Sequence, residues 1–307
     1  MTKTKVLIDM DIGDDIDDAL ALYLAMRLDY DIVGVTTVFG DTEKRARIAK
    51  KMLRLYGGKY SEVPVYAGAG NAPAELSKHL TYLCQYTPDL DDAQYAPDGV
   101  GNAAAFILDR CKKYGKQLAI LSIGPFTNIA EVIQKDSTAL NTIGKFIIMG
   151  GAYFKQYADW NVMCDIASAA MMFDHVSILE CLGADVTHKL PISSEDSAKL
   201  LSCVRDDAAK YLAHLYRAWL DASGKKSAVL HDPLAVYYLS HPEICTVKDA
   251  SVIVIPDGPA AGMTLNVDAY GKAGMNSAYQ SVDKTNKVKV ASDVDSEEFV
   301  NTFMSLF

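Results

Sequence analysis

The sequence predicts an α/β protein built on a mainly parallel, open sheet flanked by helices. Two observations carry that prediction. Short apolar runs rich in β-branched residues recur along the chain, and segments of helical periodicity alternate with them. The runs are almost continuously apolar, the pattern of strands covered on both faces, as in parallel sheets.

Val6–Ile8 reads as the first strand, and a helix is expected from about Asp17 to Leu28. Ile32–Phe39 is the second strand, with helical spacing over Glu43–Tyr56. Val63–Ala67 follows as a strand, then an acidic loop with Pro88 and Pro97, then a helix over Ala103–Tyr114. Leu118–Ile123 and Phe146–Met149 are buried strands separated by a helix near Asn128–Ile133.

After Thr187 the order changes. Helical stretches at Glu195–Val204 and Ala208–Ala222 come in succession, and His231 opens another. Ser251–Ile255, Met263–Val267 and Lys287–Val290 return to strand, and a last helix lies near Glu297–Phe307. No repeat, low-complexity segment or Pro/Ser-rich linker divides the chain. One domain over residues 1–307 is expected, with a helical excursion around 194–240.

Composition narrows the function classes. Thirty Lys and Arg against 39 Asp and Glu leave a net charge of −9, which argues against nucleic acid or anionic membrane as the main partner. A small neutral substrate is compatible with that field. The six cysteines (Cys84, Cys111, Cys164, Cys181, Cys203 and Cys245) are scattered, with neither a C-x-x-C pair nor zinc spacing. They read as reduced thiols. The N-terminus has no apolar region of signal-peptide length, and the chain has no transmembrane run, so a cytoplasmic protein is expected.

The chemistry is densest directly after the first strand. Residues 8–19 read I-D-M-D-I-G-D-D-I-D-D-A, with six aspartates. Ligands of open α/β sheets gather at the carboxyl ends of strands. Gly13 supplies the freedom for a tight strand-to-helix turn. Asp9 and Asp11 share parity and would point to one side of an extended strand. So many carboxylates need a cation, protonation or extensive hydrogen bonding. A hard divalent cation with oxygen ligands, calcium or magnesium, fits best. The plainer alternative is a solvated acidic turn in which Asp14 or Asp17 caps the helix. An aspartate-nucleophile phosphatase would place a Thr or small residue and hydrophobics after D-x-D, where this chain has Ile12-Gly13-Asp14-Asp15. An EF-hand would need Glu at loop position 12, which counting from Asp9 is Leu20.

D-x-D-x-G followed by D-D-A-x-A resembles the signature of the inosine-uridine-preferring nucleoside hydrolases. The commonest family form has one residue between the glycine and the paired aspartates; here there are three. The helical continuation Ala19-Leu20-Ala21 selects Asp17-Asp18 over Asp14-Asp15 as the functional pair. The resemblance continues in order along the chain. Thr36–Asp41 is similar to the second-strand motif, with Asp41 where the family usually has asparagine, and Val63–Gly68 is similar to the third. Gly124–Ile129 matches G-P-x-T-N-I, and Met149–Ala152 matches M-G-G-A. Asp159-Trp160-Asn161 with Cys164-Asp165 resembles E-x-N…D-P. Gly183–Thr187 resembles G-L-D-V-T, and His231-Asp232-Pro233 matches H-D-P. Gly262–Thr264 and Val288–Asp295 also fit.

The resemblance implies a Rossmann-like nucleoside hydrolase fold and hydrolysis of the N-glycosidic bond of ribonucleosides to ribose and free base. It implies Ca2+ held by Asp11, Asp18, the main-chain carbonyl of Ile123 and Asp232. A calcium-bound water would attack through an oxocarbenium-like transition state, with Asp11 as base and His231 as the group facing the leaving base. Asp17, Asp232 and Asn161 would grip the ribose hydroxyls, Asp159 the 5′-hydroxyl, and Asp41 would lie near the ribose. Asp9 would support the turn, while Asp14 and Asp15 have no assigned job. Trp219, Tyr216 and Tyr95 are the aromatic candidates for stacking on the base, while the helical spacing of Leu212, Tyr216, Trp219 and Leu220 fits ordinary core equally well. His79, His175, His188, His214 and His241 read as structural or exposed. The partners implied are a ribonucleoside and further copies of the chain, as a homodimer or homotetramer. The alternative function is a calcium- or nucleoside-binding protein of this fold without catalysis. Neither the base nor the oligomeric state follows from the sequence.

Overall fold

The structure, a computed structural model, describes residues 3–70, 83–268 and 286–307. His79 lies outside these residues. Nine strands form one sheet: β1 (Lys5–Met10), β2 (Asp31–Thr37), β3 (Val65–Ala67), β4 (Gly99–Val100), β5 (Leu118–Ser122), β6 (Lys145–Met149), β7 (Leu179–Leu182), β8 (Cys245–Ala250) and β11 (Val288–Val294). Their spatial order is β4-β3-β2-β1-β5-β6-β7-β11-β8. All neighbours run parallel except β8 against β11. A separate antiparallel pair joins β9 (Val252–Val254) to β10 (Thr264–Asn266).

The strand order reverses at β1. Chain succession runs outward from β1 to β4, returns to β5 on the other side of β1, and then proceeds through β6 and β7. The carboxyl ends of β1 and β5 therefore flank a topological switch point, where open α/β sheets leave a crevice. The acidic loop follows β1 and Ile123 follows β5.

Helices cover both faces. They are α1 (Asp17–Arg27), α2 (Thr42–Tyr56), α3 (Ala103–Tyr114), α4 (Thr127–Lys135), α5 (Trp160–Cys164) and α6 (Ile166–His175). After β7 come α7 (Ala184–Thr187), α8 (Ser194–Ser202), α9 (Asp207–Ser223), α10 (His231–Tyr238) and, at the end, α11 (Ser296–Ser305). The pleat sends Val6, Ile8 and Leu121 into one apolar cluster, and Leu7, Ile120 and Phe146 into the other. Strands with partners on both sides read as continuous apolar runs for that reason. Helix α1 is buried from Asp17 to Met26, so it lacks an exposed polar face. Its first turn carries Asp17 and Asp18, favourably placed for the helix dipole. Among the described residues no helix is long and apolar enough to cross a membrane.

The differences from the predicted elements have local causes. The second strand stops at Thr37 instead of Phe39, because Phe39 turns into the left-handed region at φ 71° and its carbonyl accepts from Arg45 Nε at 2.7 Å. Strands β7 and β8 were not anticipated. In β7, Glu180 interrupts the apolar run, and the structure satisfies it with Tyr238 Oη at 2.6 Å. In β8 four central residues are exposed, so no burial pattern marks the strand. Helices α5 and α6 also lay in a stretch to which the sequence assigned no element.

Candidate active site

A cavity of about 460 Å3 opens at the switch point. Of the residues anticipated for the site, Asp11 and Ile123 line it just past the ends of β1 and β5, and Asp17 and Asp18 line it from the first turn of α1. Asp159, Asn161, His231 and Asp232 line it from the starts of α5 and α10. Asp41 does not join them. It caps α2, accepting from Lys44 N at 3.1 Å and pairing with Lys44 Nζ at 3.0 Å, and its side chain is 43% exposed. The expectation that Asp41 lies at the ribose is corrected accordingly. A carboxylate just before a helix is a good N-cap, and that local use claims this one.

The acidic loop is shaped by close approaches. A Cβ on Gly124 would come within 2.9 Å of Asp11 N and Asp11 Oδ1, so only glycine lets the β5–α4 loop back onto Asp11. Gly13 sits at φ 138°, a backbone state that L side chains rarely adopt. Asp9 does not face the cavity. It is fully buried beneath the loop, accepting from Thr36 Oγ1 at 2.6 Å, Asn128 Nδ2 at 2.8 Å and Ser122 Oγ at 3.5 Å. Its parity with Asp11 therefore does not put the two side chains in one place, because the strand ends at Met10.

Arg45 holds the loop from below, and the sequence reading missed it. Its side chain is 1% exposed. Nη1 donates to the carbonyls of Asp11 and Ile12, and both Nη atoms reach the Asp14 carboxylate, at 3.1 and 3.0 Å. The bidentate pair answers what Asp14 does in the longer spacer. Burial works against the charged guanidinium, but the Asp14, Asp11 and Asp18 carboxylates outweigh it and hold Arg45 charged. The available clue was a cation on the buried stripe of α2 shared with Ala49 and Met52. Asp15 accepts from Ile16 N at 2.7 Å, and its carboxylate lies 3.9 Å from Lys225 Nζ.

Carboxylates crowd the floor. One oxygen each of Asp17, Asp18 and Asp232 lies within 4.8 Å of the others, a spacing that could hold a metal ion. Asp18 Oδ1 also accepts from Asp11 N at 3.1 Å. Burial, then repulsion from neighbouring carboxylates including Asp11, pushes Asp17, Asp18 and Asp232 well above the usual carboxylate range. Burial likewise pushes Asp11 up to about 8, against the pull of Arg45. Asp232 Oδ1 is buried without a hydrogen-bond partner. A buried carboxylate oxygen with no donor, among others held at ligand spacing, fits an all-oxygen cation site. The Ile123 carbonyl accepts from Asn161 Nδ2 at 2.9 Å, and Met149 O accepts from the same nitrogen at 3.1 Å. A carbonyl's second lone pair stays available for a ligand.

Two imidazoles and three aromatic rings, His188, His231, Tyr157, Trp160 and Trp219, also line the cavity. His231 Nδ1 lies 2.6 Å from Thr187 Oγ1. Burial, with the positive charges of His188 and Lys225, pushes its imidazole down to about 3. The His188 ring meets His231 edge-on at 5.1 Å, and Tyr157 meets His188 at 5.4 Å. His188 was read as structural or exposed; the structure places it in the lining, beside Tyr157 and Trp160. Of the three aromatic candidates only Trp219 lines the cavity. Tyr216 is core, its hydroxyl accepting from Ser197 Oγ at 3.0 Å and Ala228 N at 3.1 Å. Tyr95 faces Lys51 of α2 instead. Asp159 caps α5, accepting from Val162 N at 3.4 Å; burial outweighs its backbone donors and pushes it up to about 6.

Fold and cavity together define a class: an open, mainly parallel α/β enzyme with a carboxylate-lined site at its switch point, as in the nucleoside hydrolases. The profile of the family described as inosine-uridine preferring nucleoside hydrolase matches residues 6–301, and the chain belongs to that family. It is 30% identical over 292 residues to the pyrimidine-specific ribonucleoside hydrolase RihA of Shewanella woodyi, covering 88% of this chain and 89% of that one. It is 28% identical over 287 residues to the probable uridine nucleosidase 1 of Oryza sativa subsp. japonica, covering 86% and 85%. Among solved structures, the purine-preferring ribonucleoside hydrolase from Gardnerella vaginalis aligns at a TM-score of 0.74 and 27% identity, covering 98% of this chain and 97% of that one. The protein is thus an N-glycosyl hydrolase of the ribonucleoside hydrolase type.

Proposed function

We propose that the protein hydrolyses ribonucleosides to ribose and free base at this cavity, with calcium as its cofactor. The observation that carries the reading is the convergence of Asp17, Asp18 and the unpartnered Asp232 Oδ1 in one cavity with His231. Asp11, Asp18, Asp232 and the Ile123 carbonyl would hold the ion, an all-oxygen set suited to calcium. When bound, calcium supplies a positive charge that keeps these buried carboxylates ionised and lowers the pKa of water beside it.

The residues then divide the remaining work. Asp11 takes the proton of the attacking water. Asp17, close to Asp18 and Asp232, grips the ribose hydroxyls together with Asn161, whose Nδ2 is already committed and whose Oδ1 is left to accept. Asp159 accepts from the 5′-hydroxyl. The carboxylates favour the positive charge that grows on the ribosyl ring as the C–N bond breaks. His231, held neutral by burial, polarises the base through a ring N–H and not as a charged acid. The test is release of reducing sugar from a panel of uridine, cytidine, inosine and adenosine. Failure to release sugar from any of them, with calcium present, overturns the reading.

A further inference from the structure

Cleavage of a ribosyl C–N bond sends the bonding electron pair out with the base. The group that receives this negative charge is as important as the carboxylates that favour the ribosyl cation. Among the described residues lining the cavity, Lys225 is the only lysine or arginine. It stands on the connection between α9 and His231. Gly224 ends α9 in the left-handed conformation at φ 67°, and Lys225 N donates to Ser223 Oγ at 3.2 Å. The rest of the connection is pinned: Lys226 O accepts from Ser197 Oγ at 3.3 Å, and Ala228 O accepts from Ile192 N at 3.0 Å. The Lys225 ammonium lies 5.3 Å from the Trp219 ring centroid and 3.9 Å from Asp15.

We propose that Lys225 stabilises the departing base as an anion, donating to an exocyclic carbonyl oxygen such as those of uracil. The assignment rests on the nucleoside hydrolase reading above. In the step, water oxygen bonds to C1′ and the C1′–N pair goes to the base, whose charge spreads onto its carbonyl oxygens. The water proton goes to Asp11, and the base regains a proton from solvent at the cavity mouth. Lys225 transfers no proton; it matters in the transition state, where the charge appears, so its loss falls on kcat and not on KM. A uridine-type base, with carbonyl oxygens to receive the ammonium, is the substrate class that gains most.

The experiment compares uridine with 5-fluorouridine, whose base is the better leaving anion, in the calcium-loaded wild type and in Lys225→Met and Lys225→Arg. Lys225→Met is expected to lower kcat for uridine roughly tenfold or more while 5-fluorouridine loses much less. Lys225→Arg should recover most of the uridine rate. Equal losses on both substrates would mark Lys225 as a structural wall, and unchanged uridine turnover would show it idle; either overturns the assignment. Wild-type turnover of inosine but not uridine overturns it and leaves the hydrolase reading intact. No turnover of any nucleoside overturns both.

Discussion

Arg45 and Asp14 form a bidentate ion pair beneath the acidic loop, with Nη2 to Oδ2 at 3.0 Å and the guanidinium almost wholly shielded from water. The same guanidinium donates to the carbonyls of Phe39, Asp11 and Ile12, so one side chain ties the end of β2 to the loop after β1. The three-residue spacer between Gly13 and Asp17 supplies the counter-charge that makes this buried cation tolerable.

Removing only one partner should therefore be costly. Arg45→Met is expected to destabilise the fold by about 3 to 5 kcal/mol, since three carbonyls lose their donor and Asp14 is left unpaired. The double variant Arg45→Met/Asp14→Asn should recover part of the loss. Urea unfolding of the two variants and wild type measures both; an unchanged midpoint for Arg45→Met would refute the clamp.

Calcium should be linked to stability, because the proposed ligands come from β1–α1, β5–α4 and the start of α10 and meet only in the folded chain. At a free calcium concentration one hundred times Kd, folding should gain about 2.7 kcal/mol. Chelation should abolish sugar release and lower Tm, and added calcium should restore both. A Tm indifferent to calcium would rule out this site.

Asp11→Asn keeps the shape of the side chain but cannot take a proton. A fall in kcat of roughly 10²- to 10⁴-fold is expected, with calcium still bound as judged by titration calorimetry. Normal turnover in this variant would remove Asp11 from the base role.

In its proposed role on the 5′-hydroxyl, Asp159 should give the site a pH-dependent grip. Burial raises its carboxyl to about 6, so it is ionised above that pH and protonated below it. A protonated carboxyl accepts less well from the 5′-hydroxyl, so KM should rise as pH falls through about 6. In Asp159→Asn that rise should vanish, leaving KM high and flat. A KM–pH profile identical in wild type and variant would refute the role.

Asp41 tests the correction made by the structure. As an N-cap it should contribute about 1 kcal/mol to stability and nothing to substrate affinity. Asp41→Ala is expected to lower the unfolding midpoint modestly with KM unchanged; a raised KM at wild-type stability would return Asp41 to the ribose.

The sequence by itself determined where along the chain the strands that carry the site lie, because strands covered on both faces read as continuous apolar runs. It also determined that carboxylates gather after β1 and that His231 and Asp232 begin a helix, since these are local facts of spacing. Local spacing says nothing about which distant segments meet. Periodicity marked Arg45 only as a charge within an amphipathic helix; its place under the loop depends on α2 packing beside the end of β1. Asp41 lost its anticipated place to the helix it caps, and for Tyr216 packing decided for the core, one of the two places its spacing allowed. His188, Trp160 and Lys225 entered the lining because α5, α7 and the α9–α10 connection converge over one switch point. That convergence is set by the reversal of strand order at β1 and by burial between layers, long-range terms that no window of neighbouring residues contains.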